Sequence, residues 1–135
     1  MANATRNECA WGGVTCDATT NRFITKLDLS KQNLTNSIPP ELGVLTTLEE
    51  LHLDGNKLNG IVPESFGNLT NLKILELQEN NLAGPIPRTI GQITKLTKLY
   101  LERNNLVGSI PTQISSLASL EKLDLFENNF SGSLP

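Results

Sequence analysis

Leu75-Glu76-Leu77-Gln78-Glu79-Asn80-Asn81-Leu82-Ala83-Gly84-Pro85-Ile86-Pro87 is one turn of a pattern that runs through nearly the whole chain. Its first leucine recurs every 24 residues, as Leu27, Leu51, Leu75, Leu99 and Leu123, without an insertion or deletion. The second leucine keeps the same step, as Leu29, Leu53, Leu77, Leu101 and Leu125. So does the asparagine column of Asn56, Asn80, Asn104 and Asn128, which Gln32 begins. An apolar column follows (Leu34, Leu58, Leu82, Leu106, Phe130), then glycines 60, 84, 108 and 132, with Asn36 in their place in the first turn. Each turn ends on an apolar residue and a proline, as in Ile38-Pro39 and Ile86-Pro87. A fixed short period of this kind builds a solenoid, because a single repeat cannot bury its apolar face and must lay it on its neighbour.

The local signals give each repeat its shape. Apolar and polar residues alternate around Leu51 and Leu53, the period of a half-buried strand. Stacked at a 24-residue step, five such strands form a parallel sheet. About fifteen residues remain to lead the chain back. Glycine at 60, 84 and 108 and the extended backbone before proline restrict that return. A segment such as residues 63–69 has room only for a short helical turn on the outer side. The coil is expected to be right-handed, as parallel crossovers almost always are. The asparagines read as scaffold. An amide supplies donor and acceptor where the strand turns and its backbone groups lose ladder partners.

Composition narrows the function. The chain has 135 residues, room for one domain, and a net charge of −3, which lacks the basic stripe that nucleic acid requires. No apolar run approaches a membrane span. Residues 1–6 lack the apolar core of a secretory signal, so the chain is either a mature segment or an intracellular protein. Cys9 and Cys16 bear on that choice. A bridge between them would close a short loop and stabilise by roughly 2.5 kcal/mol on the chain-entropy model. Two cysteines and one distant histidine make a poor zinc site. Four N-x-S/T acceptors, Asn3, Asn33, Asn68 and Asn129, fall in expected loops and support an oxidising, extracytoplasmic setting.

The unit from Leu75 to Gly91 resembles the plant-type leucine-rich repeat. Cys9-x-Trp11-x-Gly13-Val14-x-Cys16 resembles the N-terminal cap of plant receptor kinases and receptor-like proteins. The resemblance implies an α/β leucine-rich repeat solenoid with a parallel sheet on the concave face and 3-10 or helical turns on the convex side. It divides the chain into a cap over residues 1–23 and five repeats over 24–135. It also implies that Cys9 pairs with Cys16 and that Trp11 packs on the first repeat. Gln32 and Asn36 depart from the family pattern, most of the helix that precedes the cap is missing, and no C-terminal cap follows Pro135. The last departure points to a fragment or an unusually minimal protein. It leads to the expectation of fraying or self-association at that end, where Leu123, Leu125, Phe130 and Leu134 lack a cover.

With the scaffold columns set aside, the variable positions gather on the inner face. Asp28, His52, Glu76, Tyr100 and Asp124 lie between the paired leucines; Ser30, Asp54, Gln78, Glu102 and Phe126 lie just beyond. Lys26, Glu50, Ile74, Lys98 and Lys122 flank them on one side, and Lys31, Gly55, Glu79, Arg103 and Glu127 on the other. With the outermost column (Thr25, Glu49, Lys73, Thr97, Glu121), the face holds ten of the fourteen acids and six of the eleven bases, an excess of four negative charges. Irregular residues on a regular scaffold suit recognition, although interspersed charges would equally suit a plain solvated face. Ile74, Tyr100 and Phe126 favour binding, because exposed apolar and aromatic groups are enriched at interfaces. Asp28, His52, Asp54, Ile74, Glu76, Gln78, Lys98, Tyr100, Glu102, Arg103, Asp124 and Phe126 are therefore the candidate ligand-binding residues.

Catalysis has no such support. His52 is the only histidine, and only distant Ser30 could serve as a nucleophile, so no triad assembles. Carboxylates on an open, wet sheet lack the environment that splits acid from base. A calcium ion on Glu49, Glu50 and Asp54 would have no loop around it, and no cofactor or metal is expected. The sequence reads as an extracellular module that binds a protein or peptide. Five strands and five residues make a face of roughly 400 Å², about half of what one partner usually contributes. At that size the domain should bind weakly, or jointly with a second protein, as the resemblance to the short co-receptor ectodomains of the family implies. The alternatives are a secreted inhibitor of a cell-wall hydrolase, an ice-binding surface on the column Asn33, Lys57, Asn81, Asn105 and Asn129, or a purely structural part of a longer array.

Overall fold

The paired leucines are buried and stack through the centre of the molecule, with Leu51, Leu75 and Leu99 fully excluded from solvent. The computed structural model describes residues 6–135. A short helix, α1 (Arg6–Cys9), leads into nine strands: β1 (Val14–Cys16), β2 (Ile24–Asp28), β3 (Glu50–His52), β4 (Ile74–Glu76), β5 (Ala83–Gly84), β6 (Lys98–Tyr100), β7 (Asn105–Ser109), β8 (Lys122–Asp124) and β9 (Asn129–Ser131). β2, β3, β4, β6 and β8 are parallel neighbours, paired at a constant step of 24, so Leu27, Leu51, Leu75, Leu99 and Leu123 stand side by side. The return path carries a five-residue 3-10 helix in each of four repeats, at Pro40–Val44, Glu64–Asn68, Arg88–Gln92 and Thr112–Ser116. Phe66 on the second of these is fully buried, as are Leu69, Leu72 and Ile90. These helices pack so closely that a Cβ on Gly67 would lie 2.8 Å from the Thr89 carbonyl oxygen.

The asparagine column staples each repeat to the one before it. The Asn80 amide donates to the carbonyls of Leu53 (3.0 Å) and Leu77 (3.1 Å), and its oxygen accepts from the Leu58 N–H (3.0 Å). Asn104 makes the same set one repeat on, to Leu77, Leu101 and Leu82. Gln32 heads the column without a preceding repeat to bind, and its amide donates only to Ser30, at 3.3 Å. Asn36 adopts φ +67°, the left-handed conformation that Gly60, Gly84 and Gly108 take in later repeats. Asparagine tolerates that region better than most residues, which accounts for the substitution.

Three features differ from the sequence expectation. The sheet has a sixth strand: β1 joins β2 antiparallel, with Val14 opposite Leu27. Its connection to β2 is tied by Asp17. One Asp17 carboxylate oxygen accepts from the Thr20 N–H (2.8 Å) and hydroxyl (2.6 Å), the other from the Arg22 and Phe23 N–H groups. So short a link can join only antiparallel neighbours. Secondly, Cys9 and Cys16 are bonded, but the Trp11 indole is 61% exposed instead of covering the first repeat. Val14 packs against the core instead, because the register of β1 sets it opposite Leu27. Thirdly, β5, β7 and β9 form a second parallel sheet along the flank. Among the described residues no helix is long and apolar enough to cross a membrane.

Candidate functional site

In β3 the backbone alternation buries Leu51 and Leu53 and turns Glu50, His52 and Asp54 to the open face. The regular register brings each of these beside its counterpart on the next strand, His52 between Asp28 and Glu76, and Ile74 between Glu50 and Lys98. Asp28, Asp54, Glu76, Gln78, Tyr100, Glu102 and Asp124 are half-buried, whereas Lys98, Arg103 and Phe126 are exposed. All twelve expected face residues therefore lie on one surface. Of the glycosylation candidates, Asn33, Asn68 and Asn129 are exposed, and Asn3 lies outside the described residues.

His52 is the centre of an ionic cluster. Its Nε2 is 3.0 Å from a Glu50 oxygen and its Nδ1 3.1 Å from a Glu76 oxygen, with 12% of the side chain exposed. Glu50 was not among the candidate residues. The signal was present in its spacing, since residues two apart on a strand share a face. Burial disfavours the charged ring, but the hydrogen bonds to Glu76 and Glu50 and the charges of Glu76 and Asp28 outweigh it. The His52 pKa stands above its ordinary value of 6.5. Below that raised pKa both ring nitrogens donate, and the side chain is an imidazolium clamped between carboxylates. Asp28 is held below its usual range, chiefly by the Ser30 hydroxyl, which donates to it at 2.6 Å. Asp54 is pushed up by burial and by the charge of Glu76, and Glu102 by burial and by Asp124 and Glu79.

This arrangement has a testable pH dependence. A histidine with a raised folded pKa stabilises the fold fully below pH 6.5, and that contribution is lost as pH rises through the folded pKa. The raised pKa values of Asp54 and Glu102 act in the same direction at lower pH. We expect an NMR titration of the His52 ring to give a pKa above 6.5 and Glu76→Gln to lower it. A ring titrating at or below 6.5 in the intact protein would refute the clamp.

The chemistry the cluster can perform is limited by its donors. His52, Asp54 and Glu76 bring one nitrogen and two carboxylate oxygens within 4.8 Å of one another, a set different from the Glu49, Glu50 and Asp54 grouping considered from sequence. A protonated imidazole cannot ligate a metal, so below the His52 pKa an ion would have to displace a ring proton that faces a carboxylate. Ser30, the nucleophile considered from sequence, donates its hydroxyl to Asp28 and not to the imidazole. Further along, Arg103 lies 2.9 Å from Glu127, 3.6 Å from Glu79 and 5.8 Å above the Phe126 ring centroid. Lys73 pairs with Glu49, and Lys26 lies 3.9 Å from Glu50.

Comparison with known proteins agrees with this architecture. The leucine rich repeat family model matches residues 23–82 and 46–106, and a second leucine rich repeat model matches 119–135. The LRR receptor-like serine/threonine-protein kinase FEI 2 of Arabidopsis thaliana is 50% identical over 48 residues, which are 36% of this chain and 8% of that protein. The crystal structure of the LRR ectodomain of the receptor kinase SOBIR1 from Arabidopsis thaliana superposes with a TM-score of 0.88 at 33% identity, covering 98% of this chain and 76% of that one. The plant peptide hormone receptor RGFR1 in complex with RGF2 matches with a TM-score of 0.85 at 36% identity, over 94% of this chain and 19% of the receptor. Repeat period, stapling asparagines and these matches together identify the chain as a member of the leucine-rich repeat family, of the kind found in plant receptor-kinase ectodomains.

Proposed function

We propose that this chain is an extracellular recognition module that binds a protein or an extended peptide across the open face of its parallel sheet, without catalysing a reaction. The observation that carries the reading is the placement of Ile74, Tyr100 and Phe126 among charged side chains on that face, with Phe126 51% exposed. Large apolar groups on a solvated sheet cost solubility and contribute nothing to the core, whereas at an interface they are the residues that bind. The peptide complex of RGFR1 supports a peptide ligand, and the ectodomain of SOBIR1 an extracellular site. The Cys9–Cys16 bond suits an oxidising compartment, as do exposed acceptor asparagines. The small face, roughly 400 Å², favours a partner held jointly with a second protein.

A display library of random peptides selected against the folded chain tests the reading. Selected binders should lose about tenfold or more in affinity to a Tyr100→Ala, Phe126→Ala double variant, as truncated hot-spot aromatics do, while its melting temperature barely moves. Ile61→Ala and Val107→Ala, at exposed positions outside this face, should bind as before. Binders indifferent to Tyr100 and Phe126 but sensitive to Ile61 or Val107 would place recognition elsewhere.

A further inference from the structure

Resting on that reading, we propose that Asp54, Gln78 and Glu102 form a track for the cationic side chains of a basic peptide bound in a polyproline II conformation across the central strands. These three residues occupy one column, 24 apart, on consecutive parallel strands. Each holds a buried side-chain oxygen with no hydrogen-bond donor: Asp54 Oδ1, Gln78 Oε1 and Glu102 Oε2. They are the buried side-chain polar atoms left without a partner among the described residues. The other two members of the column differ. Ser30 donates to Asp28, and Phe126 has no polar atom to satisfy.

The backbone carbonyls of the same column are engaged. The carbonyls of Asp54, Gln78 and Glu102 accept from the N–H groups of Lys31, Gly55 and Glu79 at 3.0–3.1 Å. These bonds hold the three positions in register. Buried acceptors without donors are rare in folded proteins, and a ligand that supplies donors relieves them. Each residue is only half-buried, and terminal carboxylate and amide torsions are broad. The outward part of each terminal group is what a ligand on the open face can reach.

The charge around the track sets the ligand's sign. Arg103 is drawn to Glu79 and Glu127 at the margin, and Lys73 to Glu49. His52 is already shared by Glu50 and Glu76. Lys98, the exposed cation of β6, stands four residues before Glu102, so the track itself is lined by acceptors. A guanidinium group carries five donors in a planar fork suited to carboxylates.

Spacing sets the ligand's conformation. Neighbouring strands are about 4.8 Å apart, so Asp54 and Glu102 stand about 9.6 Å apart across two intervals. A polyproline II chain rises about 3.1 Å per residue and repeats its facing side chain every third residue, about 9.3 Å. In a fully extended strand, residues three apart point to opposite sides. Basic residues three apart on a polyproline II frame therefore meet Asp54 and Glu102 from one side, with Gln78 between them.

The probe is a fluorescein-labelled hexapeptide with arginine at positions one and four and proline elsewhere, titrated at physiological salt against the full chain. Its comparison is the isomer with both arginines adjacent. The spaced peptide should bind roughly tenfold or more tightly than the isomer, the scale of one charged hydrogen-bonded contact. Asp54→Asn with Glu102→Gln should abolish the difference, while Glu41→Gln with Glu64→Gln on the outer side leaves it intact. Circular dichroism confirms that each variant folds. Equal binding of the two isomers, or equal losses in both variant pairs, would reduce the effect to general charge attraction and overturn the track. Zinc or calcium binding that depends on Asp54 and His52, with no peptide binding, would overturn it in favour of a metal site. If library binders still depend on Tyr100 and Phe126 while the arginine peptide fails, the track falls and the recognition module stands.

Discussion

Phe66→Ala is expected to destabilise the chain by about 3–5 kcal/mol, the usual cost of removing a fully buried phenylalanine. Phe66 has no exposed surface and is the bulkiest of the fully buried side chains. It sits on the second 3-10 helix, at the position taken by Leu42, Ile90 and Ile114 in the others. Those helices pack against one another through glycines with no space for a Cβ, so the backbones cannot close over the void. A domain of this size is typically stable by about 5–15 kcal/mol, so the variant should be marginal. At roughly 4 °C per kcal/mol, the melting temperature should fall by about 10–20 °C. Thermal unfolding followed by circular dichroism reads this directly. A loss of under about 1 kcal/mol would mean that the outer layer is loosely packed, contrary to the burial described here.

The second large effect belongs to Asn80. Removing its amide leaves the N–H of Leu58 without a partner and takes one of two side-chain donors from each of the Leu53 and Leu77 carbonyls, which Asn56 and Asn104 still serve. A buried orphan costs about 1–3 kcal/mol, so Asn80→Ala should lose about that much. Asn80→Asp should be at least as damaging, since it replaces a donor with a charge facing two carbonyl oxygens. Gln32→Ala, in the same column, should be nearly neutral, because the Gln32 amide is exposed and bonds only Ser30. Urea unfolding of the three variants measures the contrast. Equal losses at Gln32 and Asn80 would show that the column acts through local turn propensity and not by stapling neighbours.

The contrast between those two positions shows what kind of information a sequence of this type carries. The 24-residue step, the leucine columns and the asparagine column specify the solenoid, the strand register and the membership of the open face without reference to any coordinate. A repeat is bonded to its neighbour by simple translation, so the period in the chain is the period in space. The same reasoning extends to the left-handed turns at Gly60, Gly84 and Gly108, where the residue type announces the conformation. It fails five residues earlier in the repeat. Lys31, Glu79, Arg103 and Glu127 also have positive φ, and only Gly55 among them hints at it.

What the sequence left open lies where periodicity stops or where side-chain direction matters. The N-terminal segment has no repeat behind it to serve as template. Its antiparallel strand, the Asp17 turn and the exposure of Trp11 depend on contacts made once. The flanking sheet of β5, β7 and β9 arises from how successive return paths lie against each other, which the alternation in any single repeat does not encode. On the open face, sequence supplied the twelve residues but not their pairing. Which carboxylates clamp His52, and which oxygens at Asp54, Gln78 and Glu102 remain without donors, is set by rotamers that only the packed neighbours select. Translation along the chain determines the scaffold, and the tertiary structure alone decides which of its polar atoms are still free to bind.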